Sequence, residues 1–383
     1  MARTRDVSAA EDALSEAFAA ALSEWPAKGC PENPGAWLLT VARRKAIDAV
    51  RKRQVGERLA SGWHILVNIP QAFDIPDERL ALLFTCAHPA LDPASHAPLM
   101  LQVVLGLDAK AIASAFLTSP AAMGKRLVCA KEKIRAAGIP FRVPERNELP
   151  ARLDTVLDAI YAAFAEGWSD PAGTDPARGE LSTEALFLAR LLVQLLPDQP
   201  EALGLLALML HAVARRRARR NEAGEYVPLA AQDRKLWDWD RIREAEALIL
   251  EFRKFGSIGR YQLEAALQSA HVHRCLTGED NWHDVVRLYD ALLSISYSPV
   301  VELNRAIAIV ELQGPDAALV ILNDLAKDGR LADYQPYWAA RADLLARIGA
   351  QDDAREAYVR ASGLTRDPAI RRFLLHRQSR YTI

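Results

Sequence analysis

Cysteine is scarce and scattered in this 383-residue chain: Cys30, Cys86, Cys129 and Cys275 show no CxxC spacing. Neither a disulfide framework nor a zinc site is indicated, and the four read as reduced thiols. β-Branched residues never sustain an alternation with polar ones, so strand signals are nearly absent. No apolar run approaches the ~20 residues that span a bilayer, and the amino terminus has no hydrophobic signal segment. The expectation is a cytoplasmic chain without membrane association. Catalytic constellations are missing as well. There is no phosphate-cradling glycine loop and no nucleophile elbow, and His271 and His273, two apart, face different sides of a helix. A non-enzymatic chain with no cofactor and no metal is the reading that follows.

What fills the sequence instead is Ala, Leu, Arg and Glu in helical periodicity, so an all-α fold is expected. With 50% hydrophobic and 25% charged residues, there is material for two or three domains. The net charge of −1 conceals a separation. Residues 34–58 and 120–146 each carry seven Lys or Arg against two acids, so each is +5 and the remainder carries −11. Such a distribution suits a polyanion-binding front and a more acidic body.

Residues 8–25 open with Ser8 and Glu11 in capping-box spacing and place Ala10, Leu14, Ala17, Phe18, Ala21, Leu22 and Trp25 on one broad apolar face. The polar side is acidic, with Glu11, Asp12 and Glu16; Pro26 and Gly29 end the helix. Pro34 begins a second helix that runs through Arg53. Its wheel buries Leu38, Leu39, Ala42, Ala46, Ala49 and Val50, and gathers Trp37, Val41, Arg44, Asp48, Arg51 and Lys52 on the opposite side. Cations neutralise phosphates and an indole gives a stacking surface for an unpaired base, so this face suits single-stranded or melting DNA. The competing reading packs Trp37 against the preceding helix.

Residues 55–76 lose the periodicity, contain Gly56, Gly62, Pro70 and Pro76, and read as a linker. Helices are expected again at 77–87 and 93–106, broken at His88-Pro89, with His88 and His96 as capping or packing residues. Residues 107–138 spell a helix-turn-helix. Asp108 caps a helix through Phe116, and Ser119-Pro120 start another that Gly138 stops. Met123, Leu127, Ala130 and Ile134 form its core stripe; Ala121, Ala122, Lys125, Arg126, Cys129 and Lys133 lie on the free side. That side is either a solvated basic face or the surface that enters a groove.

From Pro150 onward Leu- and Ala-rich helices are expected at 151–166, 181–196, 200–219, 240–254 and 260–276. Arg215, Arg216, Arg217, Arg219 and Arg220 read as a solvated helix end, where cations favour the dipole. Asn221 to Val227 read as a tight turn or small hairpin. The last hundred residues repeat. Trp338, Ala342, Leu345, Gly349, Ala354, Tyr358 and Ala361 fall on tetratricopeptide positions; 36 residues earlier stand Glu302, Ala306, Ile309, Ala318, Leu322 and Leu325, and a degenerate unit ends in Val285, Tyr289 and Leu292. Such an array presents a concave protein-binding face or simply braces the front half.

With both basic elements placed, Asn33-Pro34-Gly35-Ala36-Trp37-Leu38-Leu39-Thr40-Val41-Ala42-Arg43-Arg44-Lys45-Ala46-Ile47-Asp48 resembles region two of a bacterial sigma factor of the extracytoplasmic-function type. The segment from Leu82 through Phe141 resembles region four of the subgroup that carries a tetratricopeptide-like C-terminal extension. Gln232-Asp233-Arg234, Trp237 and Ser298-Pro299-Val300-Val301-Glu302-Leu303-Asn304-Arg305-Ala306 are further subgroup-like strings.

The resemblance implies sigma region two at 1–54, a linker at 55–76, region four at 77–145 and the extension at 150–383, its repeats clearest at 265–370. It implies core RNA polymerase and promoter DNA as partners, with Glu11, Asp12 and Glu16 facing the β′ clamp. Trp37, Arg44, Asp48, Arg51 and Lys52 would face the opened strand, and Lys125, Arg126 and Lys133 the distal promoter element. The extension is expected to contact the sigma regions and to take part in control. Three departures from the pattern stand out: a helix normally precedes Asp6, Cys129 replaces a common basic residue, and the linker is apolar at Trp63, Ile65, Leu66, Val67 and Ile69. A sigma-derived helical-repeat adaptor that no longer directs polymerase is the alternative reading.

Overall fold

A computed structural model of the chain describes residues 7–31, 33–57, 75–137, 139, 142–168, 176–365 and 367–380, with 7–11, 27, 28, 46–57 and 176–179 described as backbone. The fold is all α. Among the described residues there is no strand, and one isolated antiparallel bridge joins Arg220 and Tyr226. Two compact units divide the chain, residues 1–113 with 119–156 and residues 114–118 with 157–383.

In the first unit α1 (Val7–Lys28) packs on α2 (Pro34–Glu57). Asn33 starts α2 by accepting the Ala36 N–H on its side-chain oxygen at 3.0 Å, with Pro34 at the first helical position. The stripe that α1 buries is Ala13, Ala17 and Ala21, spaced by four so that small side chains let the two backbones approach. Leu14, Phe18 and Leu22, placed by the helical wheel on the same apolar face, are exposed, and so is Leu39, 69% accessible where burial is expected. The physical reason is that the contact between α1 and α2 is a narrow stripe, and among the described residues a leucine beside that stripe stays accessible. Residues 58–74, most of the expected linker, lie outside the described residues.

Four short helices follow, α3 (Glu78–Cys86), α4 (Pro93–Val103), α5 (Ala109–Ala115) and α6 (Pro120–Ala136). Each starts where a side-chain oxygen can take an orphan N–H. Asp77 accepts from Arg79 and Leu80, Asp92 from Ala94, Asp108 from Ala111 and Ser119 from Ala122. The α5–α6 turn places Leu117 at φ 47, a left-handed conformation that favours glycine. His96 Nε2 lies 2.9 Å from the His88 carbonyl, and His88 Nδ1 accepts the Ala90 N–H, so both imidazoles hold the break between α3 and α4. Arg152 closes the unit from below. Its buried guanidinium donates to the Phe84 carbonyl at 3.1 Å and to Glu148, which also takes both ends of the Arg142 fork.

The remaining helices are α7 (Leu153–Trp168), α8 (Pro176–Leu195), α9 (Pro200–Ala214), α10 (Trp239–Phe252), α11 (Arg260–Thr277), α12 (Trp282–Ile295), α13 (Pro299–Gln313), α14 (Pro315–Leu325), α15 (Gln335–Arg347), α16 (Gln351–Leu364) and α17 (Pro368–Ser379). α9 is buried all round from Ala202 to His211, as a helix apolar on every side must be; α8, α10 and α11 pack around it. Its crossing with α11 requires Gly204, where an added Cβ would fall 2.6 Å from the Gln262 backbone nitrogen. From α12 onward consecutive helices pack in pairs, and Ala342, Ala354 and Ala361 are wholly buried while Leu345 and Tyr358 fill the spaces between them.

The arginine cluster after α9 differs from the solvated helix end expected of it. α9 stops at Ala214, a short 3-10 segment carries Arg216–Arg219, and Arg215 is 91% buried. Arg217 alone of the five is fully exposed. The local dipole argument fails because α7 and α11 fold back over the segment: Arg219 lies on Trp168 and Arg215 on Gln268.

Candidate nucleic-acid interface

α6 has two chemically distinct sides, and the helix sequence dictates which is which. Met123, Leu127 and Ala130 recur at three or four residues and are buried, with Ile134 half-buried beyond them. Ala121, Ala122, Lys125, Cys129 and Lys133 are exposed and Arg126 is half-buried. Lys125, Arg126 and Lys133 form no ion pair among the described residues, although the molecule pairs many of its other surface arginines. Three cations without acidic partners on a helix face give a local positive potential that a polyanion can meet. The N-cap at Ser119 and Pro120 fix where this face begins, one residue after the turn.

α2 carries the second candidate surface. Trp37 is half-buried against Trp25 of α1, ring centroids 5.4 Å apart with planes at 62°. The contact agrees with the packing reading of Trp37. Arg43, Arg44 and Lys45 are exposed on the next turns. Asp48, Arg51 and Lys52 continue along α2, their side chains outside the described residues. On α1, Asp12 and Glu16 are exposed, and Glu16 meets Lys45 at 3.0 Å; the side chain of Glu11 lies outside the described residues. The Glu16–Lys45 pair is a link between α1 and α2 that helical periodicity in either segment alone does not reveal.

Other ionisable groups near these faces are structural. Burial pushes the Cys86 thiol up to about 12, leaving it a packed, unreactive group in α3. The Arg79 side chain, hydrogen-bonded to Asp77, holds that capping carboxyl below its ordinary value against the opposing effect of burial. No cluster of three or more His, Cys, Asp or Glu able to hold a metal occurs among the described residues. Nor is any described helix long and apolar enough to cross a membrane.

Two family descriptions match the chain. Residues 1–55 match Sigma-70 region 2, and residues 152–252 match a family of unknown function, DUF6596. The uncharacterized protein R00370 of Rhizobium meliloti (strain 1021) is 38% identical over 370 residues, which cover 94% of this chain and 87% of that protein. The chain belongs to the family of that protein. The alignment spans both family matches of this chain, the Sigma-70 region 2 segment and the DUF6596 segment. No solved structure matches the chain. The Sigma-70 region 2 match of this chain takes in most of the α1–α2 pair, including the Trp25–Trp37 contact and the basic turn at 43–45.

Sequence reasoning missed one further feature, a cavity of about 410 Å³ between α7, α9 and α11, lined by Arg215 and Arg219. The signal was present. Five arginines within positions 215–220 have no acid among them, an arrangement that repels itself unless something else compensates it.

Proposed function

We propose that this chain is an RNA polymerase sigma factor of the extracytoplasmic-function type that directs core enzyme to specific promoters. In this reading residues 1–54 form region two, 77–145 form region four with α5 and α6 as a helix-turn-helix, and 150–383 form a tetratricopeptide-like extension. The chain has no catalysis of its own and acts in the cytoplasm. The observation that carries the proposal is the two-sidedness of α6: Met123, Leu127 and Ala130 anchor it while Lys125, Arg126 and Lys133 stand without acidic partners. A helix so anchored can lie in the major groove with its cations on phosphates or base edges. The Sigma-70 region 2 match over residues 1–55 supports the same reading independently.

Glu11, Asp12 and Glu16 would then dock on the β′ clamp, with Glu16 exchanging Lys45 for a polymerase cation. Exposed Leu14, Phe18 and Leu22 leave α1 an apolar face beside those acids, which suits an interface with apolar centre and charged rim. Trp37, Arg44, Asp48, Arg51 and Lys52 would hold the opened strand. The test is a reconstitution of the full chain with core RNA polymerase on promoters selected from a genomic library. Specific run-off transcripts are expected. Stoichiometric capture of core enzyme without any selected promoter or transcript would overturn the proposal.

A further inference from the structure

The cavity in the second unit is unusual for the charge it encloses. Its lining includes Arg215, Arg219 and His271 and, among the described residues, no aspartate or glutamate. Several half-buried arginines elsewhere in this unit meet carboxylates, Arg190 with Glu244, Arg220 with Asp367, Arg260 with Asp158 and Glu264, and Arg377 with Asp343, while others such as Arg274 and Arg341 meet neutral groups. Arg215 donates to the His211 carbonyl and to the Gln268 side-chain oxygen, which uses two of the five N–H donors of a guanidinium. Arg219 lies with its guanidinium carbon 4.7 Å from the Trp168 ring centroid, and its buried Nη1 has no hydrogen-bond partner. Neutral acceptors and a π face soften the burial of these cations; the charge of Asp367, paired with Arg220, reaches Arg219 as well, yet burial remains the larger effect on both arginines. Burial accordingly pushes Arg215 down to about 10, so it remains charged at neutral pH.

The rest of the lining is aromatic. Tyr161, Phe164, Trp168, Tyr226 and Tyr289 all border the same space. Planar faces beside two guanidinium groups make a site with one cationic end and one flat apolar end. Its volume of about 410 Å³ falls within the range of small-molecule sites, roughly 300–1,000 Å³. A carboxylate fits the guanidinium fork in plane and bidentately.

We propose that this cavity binds a small aromatic carboxylate, its anionic group held by Arg215 and Arg219 and its ring set among Trp168, Tyr161 and Tyr289. The ligand sets a negative charge directly on Arg215 and Arg219, and it ties α7, α9 and α11 together. Binding at this site is independent of whether the chain directs polymerase, because every group involved lies between Tyr161 and Asn304.

The experiment is isothermal titration of the full chain with benzoate, 1-naphthoate and indole-3-carboxylate, each beside its neutral carboxamide, with inorganic phosphate as a further probe. At least one carboxylate should bind saturably with a stoichiometry of one, and its amide about tenfold or more weaker, since the charge-assisted contacts are lost. Phosphate should bind much more weakly than that carboxylate. Arg219→Gln should weaken the carboxylate about tenfold and leave the amide unchanged, with the helical circular dichroism retained. Should Arg219→Gln fail to fold, the carboxylate-to-amide ratio on the unaltered chain decides alone. Absence of saturable binding for all three carboxylates, equal affinity for acid and amide, or phosphate binding as tightly as the aryl acids would overturn the proposal.

Discussion

Trp37 stands edge-on to Trp25, the two indoles 5.4 Å apart at 62° across the α1–α2 pair. Aromatic pairs of this kind contribute about 0.5–1.5 kcal/mol beyond the area they bury. Trp25→Ala should therefore loosen the helix pair by roughly 1–2 kcal/mol, read as a lower denaturant midpoint for the amino-terminal segment. Trp37 has a second expected duty toward an unpaired base. Trp37→Phe keeps a ring for stacking, so it should retain promoter opening that Trp37→Ala loses, as followed by permanganate reactivity of unpaired thymines. Equal opening by both variants would confine Trp37 to packing.

Lys125 and Arg126 sit on the exposed and half-exposed side of α6, with Met123 and Leu127 fixing the helix from beneath. Each phosphate contact contributes a little under one unit to the slope of log affinity against log salt. Lys125→Ala and Arg126→Ala should each flatten that slope by about one unit and weaken promoter binding, most at low salt. Fluorescence anisotropy across a salt series makes the measurement. An unchanged slope in both variants would remove this face from the DNA.

Local chemistry made much of the fold legible. Asp108 and Ser119 are read as caps from type and position, and each accepts the backbone N–H that such a residue can reach; Asp77 and Asp92 cap in the same way. The buried stripe of α6 follows from its spacing alone. What escaped were features set by distant partners. Leu39 is accessible because, among the described residues, it lies beside the stripe that α1 covers, and a helical wheel does not know how many neighbours a helix has. Arg215 and Arg219 read as a solvated helix end because their burial is imposed by chain far away, such as Gln268, 53 residues on. Of the candidate site, the faces of α6 could be read from periodicity, whereas the Glu16–Lys45 link and the arginine cavity needed the helices placed together.

Gly204 marks a place where helix spacing is set by one missing atom. A Cβ there would lie 2.6 Å from the Gln262 nitrogen and 2.8 Å from the Tyr261 carbonyl carbon, both backbone atoms at the start of α11. Backbone cannot rotate away as a side chain can. Those same N–H groups are held by Glu201, which accepts from Tyr261 at 3.0 Å and from Gln262 at 3.1 Å, so a shift of α11 also breaks its cap. Gly204→Ala should destabilise the second unit by about 1–3 kcal/mol despite its better helix propensity, with a lowered urea midpoint as the readout.

Arg152 joins α3 to the segment that precedes α7 through the Phe84 carbonyl and Glu148. Its guanidinium is almost fully buried, so replacement by methionine of similar length leaves a carbonyl and a carboxylate short of donors. Loss of such a partner costs about 1–3 kcal/mol for the stranded group. Arg152→Met should therefore lower stability by that amount, whereas Arg142→Met, at an exposed ion pair, should change it by less than about 1 kcal/mol.

His271 provides a pH signature for the cavity region. Burial foremost, then the positive charges of Arg274 and Arg215, depress its pKa to about 4 from 6.5. Arg274 Nη2 lies 3.0 Å from His271 Nδ1, and Trp282 covers the ring edge-on, so the neutral imidazole is the form the site accommodates. The unfolded chain takes up a proton near pH 6.5 that the folded chain resists until about pH 4. Stability contributed by the neutral ring is therefore complete above pH 7 and declines as pH falls through that window, by roughly 2 kcal/mol at pH 5 and roughly 3 kcal/mol at pH 4. Burial also lowers His88 and His96, so the diagnostic quantity is a difference. Urea denaturation of the parent and of His271→Gln should converge as pH is lowered from 7.5 to 4.5, because the variant has no proton to take up there. Parallel pH profiles would mean that the imidazole is solvated and titrates normally in the folded chain.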